Sequence, residues 1–159
     1  MNGETQATRL AQLMQKKGYL PSYILALPLV TIRSSSLKKL ESGDILLLGL
    51  NNFECVLIDN DKVCANLVLT KQNNRHGMQI METEIEPIKT SDSKKYEKIK
   101  LIFGNVQCRT LTAGYMIDIA QISLEKVTLV SQERKIAMAS LINVEGEIAV
   151  KIDKVEKDG

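Results

Sequence analysis

Tryptophan is absent from this 159-residue chain, and aromatic residues amount to only 4%. A surface that stacks nucleobases needs exposed rings, so composition argues against one. The net charge is only +2, which gives no strong pull on a polyanion. No apolar run approaches the ~20 residues needed to span a bilayer, and the N-terminus lacks a signal-peptide pattern. Glycines stand singly, so no phosphate-cradling loop is present. The three cysteines, Cys55, Cys64 and Cys108, are widely spaced, odd in number and without a Cys-x-x-Cys pair. That pattern suits neither a zinc site nor a disulfide framework. Buried free thiols in a reducing cytosol are expected instead.

Apolar residues make up 44% of the chain, enough to fold by burial. With so few rings, the core must be built from Ile, Leu, Val, Met and Ala. Residues 1–19 offer a short amphipathic helix, with Thr8 as cap and Leu10, Leu13 and Met14 on one face. From Leu20 onward the signal is that of strands. Tyr23–Ile32 is apolar, with Pro28 suited to an edge, and Ser34-Ser35-Ser36 breaks the run. Leu37 and Leu40 suggest one helical turn before Gly43, and the uncharged Ile45–Leu48 reads as a buried strand. Val56–Ile58 and Val63–Leu69 form a hairpin about Asp59-Asn60-Asp61, and Asn73–Gly77 makes a further turn. Residues 83–97, with Pro87 and a Ser/Lys-rich stretch, read as a linker. Strand signals resume at Ile99–Phe103, Met116–Ile119, Val127–Val130, Ile136–Val144 and Ile148–Ile152, with Glu145-Gly146 turning between the last two.

The second half repeats the first. Leu40, Gly43, Ile45, Leu48, Glu54 and Val56 recur as Leu111, Gly114, Met116, Ile119, Glu125 and Val127. After an adjustment of two residues in the turn, Lys62, Val63 and Leu69 fall on Lys135, Ile136 and Ile142. A repeat of this size makes two copies of one small fold rather than a solenoid. Copies of about 60 residues bury too little surface to be stable alone, so a shared core or an exchange of strands is expected. The resulting boundaries are 1–19 for an N-terminal linker or helix, 20–82 for the first domain, 83–97 for the linker and 98–157 for the second domain.

The succession Leu37, Leu40, Gly43-Asp44-Ile45-Leu46-Leu47, Val56-Leu57-Ile58, followed by Leu111, Gly114, Ile117-Asp118-Ile119, Val127-Thr128-Leu129 and Val150-Lys151-Ile152, resembles the SpoA (surface presentation of antigens) domain family. The likeness spans roughly residues 20 to 155. It departs from the family pattern at Asn66 and Ala139, where members carry Gly, and in the shortened second Leu-rich turn. Tandem SpoA domains are found in the C-terminal region of SctQ-like C-ring proteins of type III secretion sorting platforms. Full-length members carry a further N-terminal domain, so Met1 is expected to mark an internal start or a boundary.

The resemblance implies a mainly β fold: two small SpoA-like domains intertwined as a pseudo-dimer, with short helical turns. It implies a cytoplasmic, non-enzymatic adaptor at the cytoplasmic face of a secretion apparatus. The partners it implies are the N-terminal segment of the stator protein (SctL/FliH-like) and other copies or isoforms of the C-ring protein. Neither nucleic acid nor direct membrane insertion is implied. Carried over by position, the partner-binding patch falls on Leu141, Ile142 and Val144, with Val68 and Leu69 as first-copy counterparts.

The residues themselves give no catalytic, cofactor-binding or metal site. His76, the single histidine, has only Asn73, Asn74 and Arg75 nearby and reads as a solvated turn residue. Asp59 and Asp61 flank a hairpin turn, without a third ligand for calcium. Gly43 and Gly114 read as structural turns that need positive φ or close backbone approach. Both faces of Ala137–Val144 are nearly free of charge, which suits either core or interface; core is favoured for Ile136, Met138 and Ile142. The competing function is a small β-barrel module that binds nucleic acid.

Overall fold

The computed structural model describes residues 21–72, 75–83, 86–88, 95–119 and 122–156. The expected helix within residues 1–19 and the Ser/Lys-rich stretch at 90–94 lie outside them. The N-terminal half contributes β1 (Ser22–Ala26), β2 (Val30–Arg33), one helical turn α1 (Ser34–Lys38), β3 (Ile45–Leu50), β4 (Glu54–Asp59), β5 (Lys62–Gln72), β6 (Arg75–Glu82) and the two-residue β7 (Glu86–Pro87). The C-terminal half contributes β8 (Tyr96–Gln107), β9 (Met116–Asp118), β10 (Lys126–Ser131), β11 (Arg134–Val144) and β12 (Glu147–Val155). All lie in one open antiparallel sheet, in the order β3-β12-β11-β10-β8-β1-β4-β5-β6-β9, with β2 added on β8 and β7 on β5.

Local chemistry accounts for the hairpins. The two-residue turns at Asn60-Asp61 (φ 46 and 62), Gln132-Glu133 (φ 51 and 62) and Glu145-Gly146 (φ 52 and 87) all have positive φ. That is the turn twist that matches right-twisted flanking strands. Other elements differ from the sequence reading. The run Tyr23–Ile32 divides into β1 and β2, because the chain leaves the ladder after Leu27, whose N–H still donates to Leu101 O (2.9 Å), and Pro28 has no N–H to donate. Ser34-Ser35-Ser36 starts α1 instead of merely ending a strand, and Leu37 is buried on its inner side. Arg75, His76 and Gly77 open β6 and pair with Gln72, Lys71 and Thr70, so His76 belongs to a strand and not to a turn. Within the stretch read as linker, Glu86 and Pro87 pair with Val63 and Lys62, and β8 already begins at Tyr96.

The sheet is symmetric in its pairing. Leu25 of β1 lies opposite Leu57 of β4, as Leu101 of β8 lies opposite Leu129 of β10. The hairpin β4-β5 is followed by β6 as β10-β11 is followed by β12. β3 and β9 cross over. β3 pairs with β12 of the other half, and β9 pairs with β6. The glycines preceding them fix each crossing in the same way. Gly43 N–H donates to Ile152 O (2.7 Å) and Gly114 N–H to Ile80 O (2.7 Å), with φ of +95 and +92.

This pairing corrects the register of the repeat. The sequence pattern aligns Val56 with Val127 and Val63 with Ile136. The ladders instead make Cys55 the counterpart of Val127, Asn60 of Gln132, Val63 of Lys135 and Ile80 of Ile152. The chain adjusts by one residue in the connection before β4 and β10, and the turns themselves are of equal length. Apolar alternation cannot reveal such a slip when neighbouring positions are also apolar.

Two main cores result, and each draws on both halves. One gathers Leu25, Leu57, Leu67, Met78 and Ile80 with Val106, Cys108, Ile117 and Ile119. The other gathers Ile99, Leu101, Leu129, Val150 and Ile152 with Leu27, Leu37 and Leu40. Phe103 touches both, its ring 5.9 Å from that of Phe53. A third, small cluster of Ala26, Val56 and Ile58 lies at the centre.

Candidate partner-binding face

The free ends of the sheet are β3 and β9. On β3 the side chains alternate. Leu46, Leu48 and Leu50 pack against the core, while Ile45 and Leu47 point outward and are 52% and 65% exposed. The run read as a buried strand is therefore an edge strand with one face open. Leu47 lies opposite Ala149 of β12, and Ala149 lies opposite Ile142 of β11. Leu47, Ala149 and Ile142 thus form one apolar row across three strands. Ala149 is fully buried between its neighbours although it belongs to neither main core.

Of the patch residues expected from sequence, Ile142 joins this row. Leu141, one residue earlier, packs against the core opposite Val150, and its N–H bonds Glu125 O (2.8 Å). Val144 lies half-buried at the end of β11, opposite Glu147. Val68 and Leu69 sit far along the sheet on β5, opposite Gln79 and Met78. By strand register their counterparts are Ser140 and Leu141, and the counterpart of Ile142 is Thr70. The structure brings Ile142 together with Ile45 and Leu47, which sequence reasoning did not single out. Nothing in an uncharged run marks which of its faces lacks a cover.

The expectation of core for Ile136, Met138 and Ile142 is overturned at two of them: Met138 is 39% exposed and Ile142 belongs to no core cluster, while Ala137 and Ala139 fill the buried phase of β11. Ile136 is half-buried against the core.

Beside the apolar row lies a polar network. Lys126 Nζ donates to Ser140 Oγ (2.7 Å) and to Asp153 Oδ2 (3.3 Å), and Ser140 Oγ donates to Asp153 Oδ2 (2.5 Å). The hydroxyl bond, with the nearby ammonium, holds the Asp153 carboxyl below its ordinary value. A carboxylate shifted in that direction is a weak base, so the network ties β10, β11 and β12 together without activating Ser140.

No protein-family model matches the chain, and no curated protein matches it in sequence.

The rest of the molecule offers little chemistry. Cys55, Cys64 and Cys108 are buried and unpaired with one another, and burial pushes the Cys55 thiol up to about 12. Among the described residues no three His, Cys, Asp or Glu side chains converge as a metal site, and no helix is long and apolar enough to cross a membrane. A cleft of about 460 Å³ lies between α1 and β11, where the buried Ser131 donates to Glu97 Oε1 (2.9 Å) and Lys135 pairs with Glu156 (3.0 Å).

Proposed function

We propose that this chain is a non-enzymatic adaptor, a tandem pair of SpoA-like domains of a type III secretion sorting platform in the cytoplasm. It binds the N-terminal segment of a stator protein and assembles with other C-ring subunits. The observation that carries the reading is the outward row of Leu47, Ala149 and Ile142, extended by Ile45, at one end of the sheet. A contiguous apolar patch on an otherwise polar face marks a surface for another protein. The likeness of residues 20–155 to the SpoA pattern supports it, and so does the crossing of β3 and β9 between halves, which suits an intertwined pair.

The contact differs from the one carried over by position alone. Ile142 remains its centre, Ile45 and Leu47 join it, and Leu141 serves the core. An apolar side chain of the partner would lie across the row, with the Lys126 and Asp153 network as its polar border.

Leu47→Glu and Ile142→Glu test this in a pull-down with a stator N-terminal peptide. Both variants should lose capture while melting within a few degrees of the parent. Undiminished capture by both would remove the patch from the reading. RNA or DNA binding that weakens steeply with salt would favour the nucleic-acid module instead.

A further inference from the structure

The two crossings use the same backbone scheme but carry opposite side chains. At one, Leu47, Ala149 and Ile142 form an apolar row. At the other, the same three places hold Asp118, Gly77 and Thr70. One step along, Ile45 faces Lys151 where Met116 faces Gln79. Met116 does not stay over Gln79. Its sulfur accepts a hydrogen bond from Thr70 Oγ1 (3.3 Å), and its methyl lies 2.8 Å from where a Cβ on Gly77 would stand. The glycine opens the space that the methionine fills, and the threonine holds its sulfur.

We infer that the row of Leu47 on Ala149 and Ile142, set against that of Asp118 on Gly77 and Thr70, makes each crossing strand fit the opposite repeat and not its own kind. Consider pairing of like with like, between two copies of this chain. The second repeat's β9 on its own β12 would bring the Met116 methyl onto the Ala149 Cβ and set Asp118 beside Ile142. The first repeat's β3 on its own β6 would leave Leu47 over a glycine and a threonine hydroxyl. Either arrangement mismatches both rows, whereas the observed one matches both. The surfaces thus specify their partner: the complementary repeat, whether of the same chain or of a second copy. This inference stands apart from the adaptor reading, since it uses only the pairing of the strands.

A reciprocal exchange within the full chain tests it. The variant Ile45→Met, Leu47→Asp, Met116→Ile, Asp118→Leu keeps the composition while placing each strand's outer residues on the wrong partner. Its unfolding equilibrium should shift toward the unfolded state by about tenfold or more, from the loss of several cross-strand pairs. A second variant adds Ala149→Gly, Gly77→Ala, Ile142→Thr and Thr70→Ile, which rebuilds both rows at opposite ends. It should recover most of that loss, a rescue that the individual residues, acting singly, would not give. Denaturant titration reads both. A first variant as stable as the parent would overturn the inference, and so would a second variant no more stable than the first, or one that fails to fold.

Discussion

Ala26 of β1 lies directly opposite Ile102 of β8, and each holds the other's place in its own half. Ala26 pairs with Val56 of β4 as Ile102 pairs with Thr128 of β10, so the approximate two-fold relation of the sheet passes between these two residues. The halves therefore meet through their first strands and are then locked at both ends by β3 and β9. Separation of the halves would break four ladders at once, those of β1 and β2 on β8, of β3 on β12 and of β9 on β6.

Ala26 is fully buried in the small central cluster. Ala26→Leu should overpack this junction and destabilise the chain by about 1–3 kcal/mol. Chemical denaturation measures the loss. A neutral result would mean that the centre of the sheet yields easily.

Gly43 and Gly114 have open space where a Cβ would stand, so only their left-handed φ resists substitution. Gly43→Ala and Gly114→Ala should each lower stability by roughly 1–2 kcal/mol, and by similar amounts. Thermal melts of the two variants check the equivalence. A large difference between them would show that one crossing matters more than the other.

Burial raises the Cys55 thiol to about 12, from an ordinary value of 9.0. Its neutral form is favoured in the folded state. The stability it lends is complete below the unfolded value and fades as pH rises from about 9 toward the folded value, because only the unfolded chain then releases the proton. Denaturant titrations at increasing pH should show this decline, and Cys55→Ala should lessen it, leaving the share of Cys64, Cys108 and Tyr23, which burial also raises. Native-state alkylation of Cys55 should be far slower than that of the unfolded chain.

Ser140 contributes most to the lowered value of Asp153. A depressed carboxyl lends stability that is present above its unfolded value and lost as pH falls through its folded one. Ser140→Ala should move the Asp153 titration upward, as followed by carboxyl chemical shifts, and shrink the acid-side change. Lys126→Ala should move it in the same direction.

Several features of the fold are legible in the sequence. Asp59-Asn60-Asp61 and Glu145-Gly146 announce hairpins because Asn, Asp and Gly tolerate positive φ. Gln132-Glu133 adopts the same turn without any such signal, held there by β10 and β11. The apolar character of Ile45–Leu48 was plain, yet its place at the free end of the sheet was not. Leu141 and Ile142 looked alike as letters. A single step of register sends one into the core and the other to the outer face.

The sequence by itself determined that the chain is mainly β, that its halves share an order of glycine, strand and hairpin, and where most strands lie. These follow from local alternation and turn chemistry, which act over a few residues. Only the tertiary structure decided that β3 and β9 cross to the opposite half, that the repeats align one residue away from their apparent register, and which apolar side chains remain uncovered. Those outcomes depend on pairing between residues distant in the chain, where closely similar apolar patterns are separated by hydrogen-bond registry and by which face finds a neighbour.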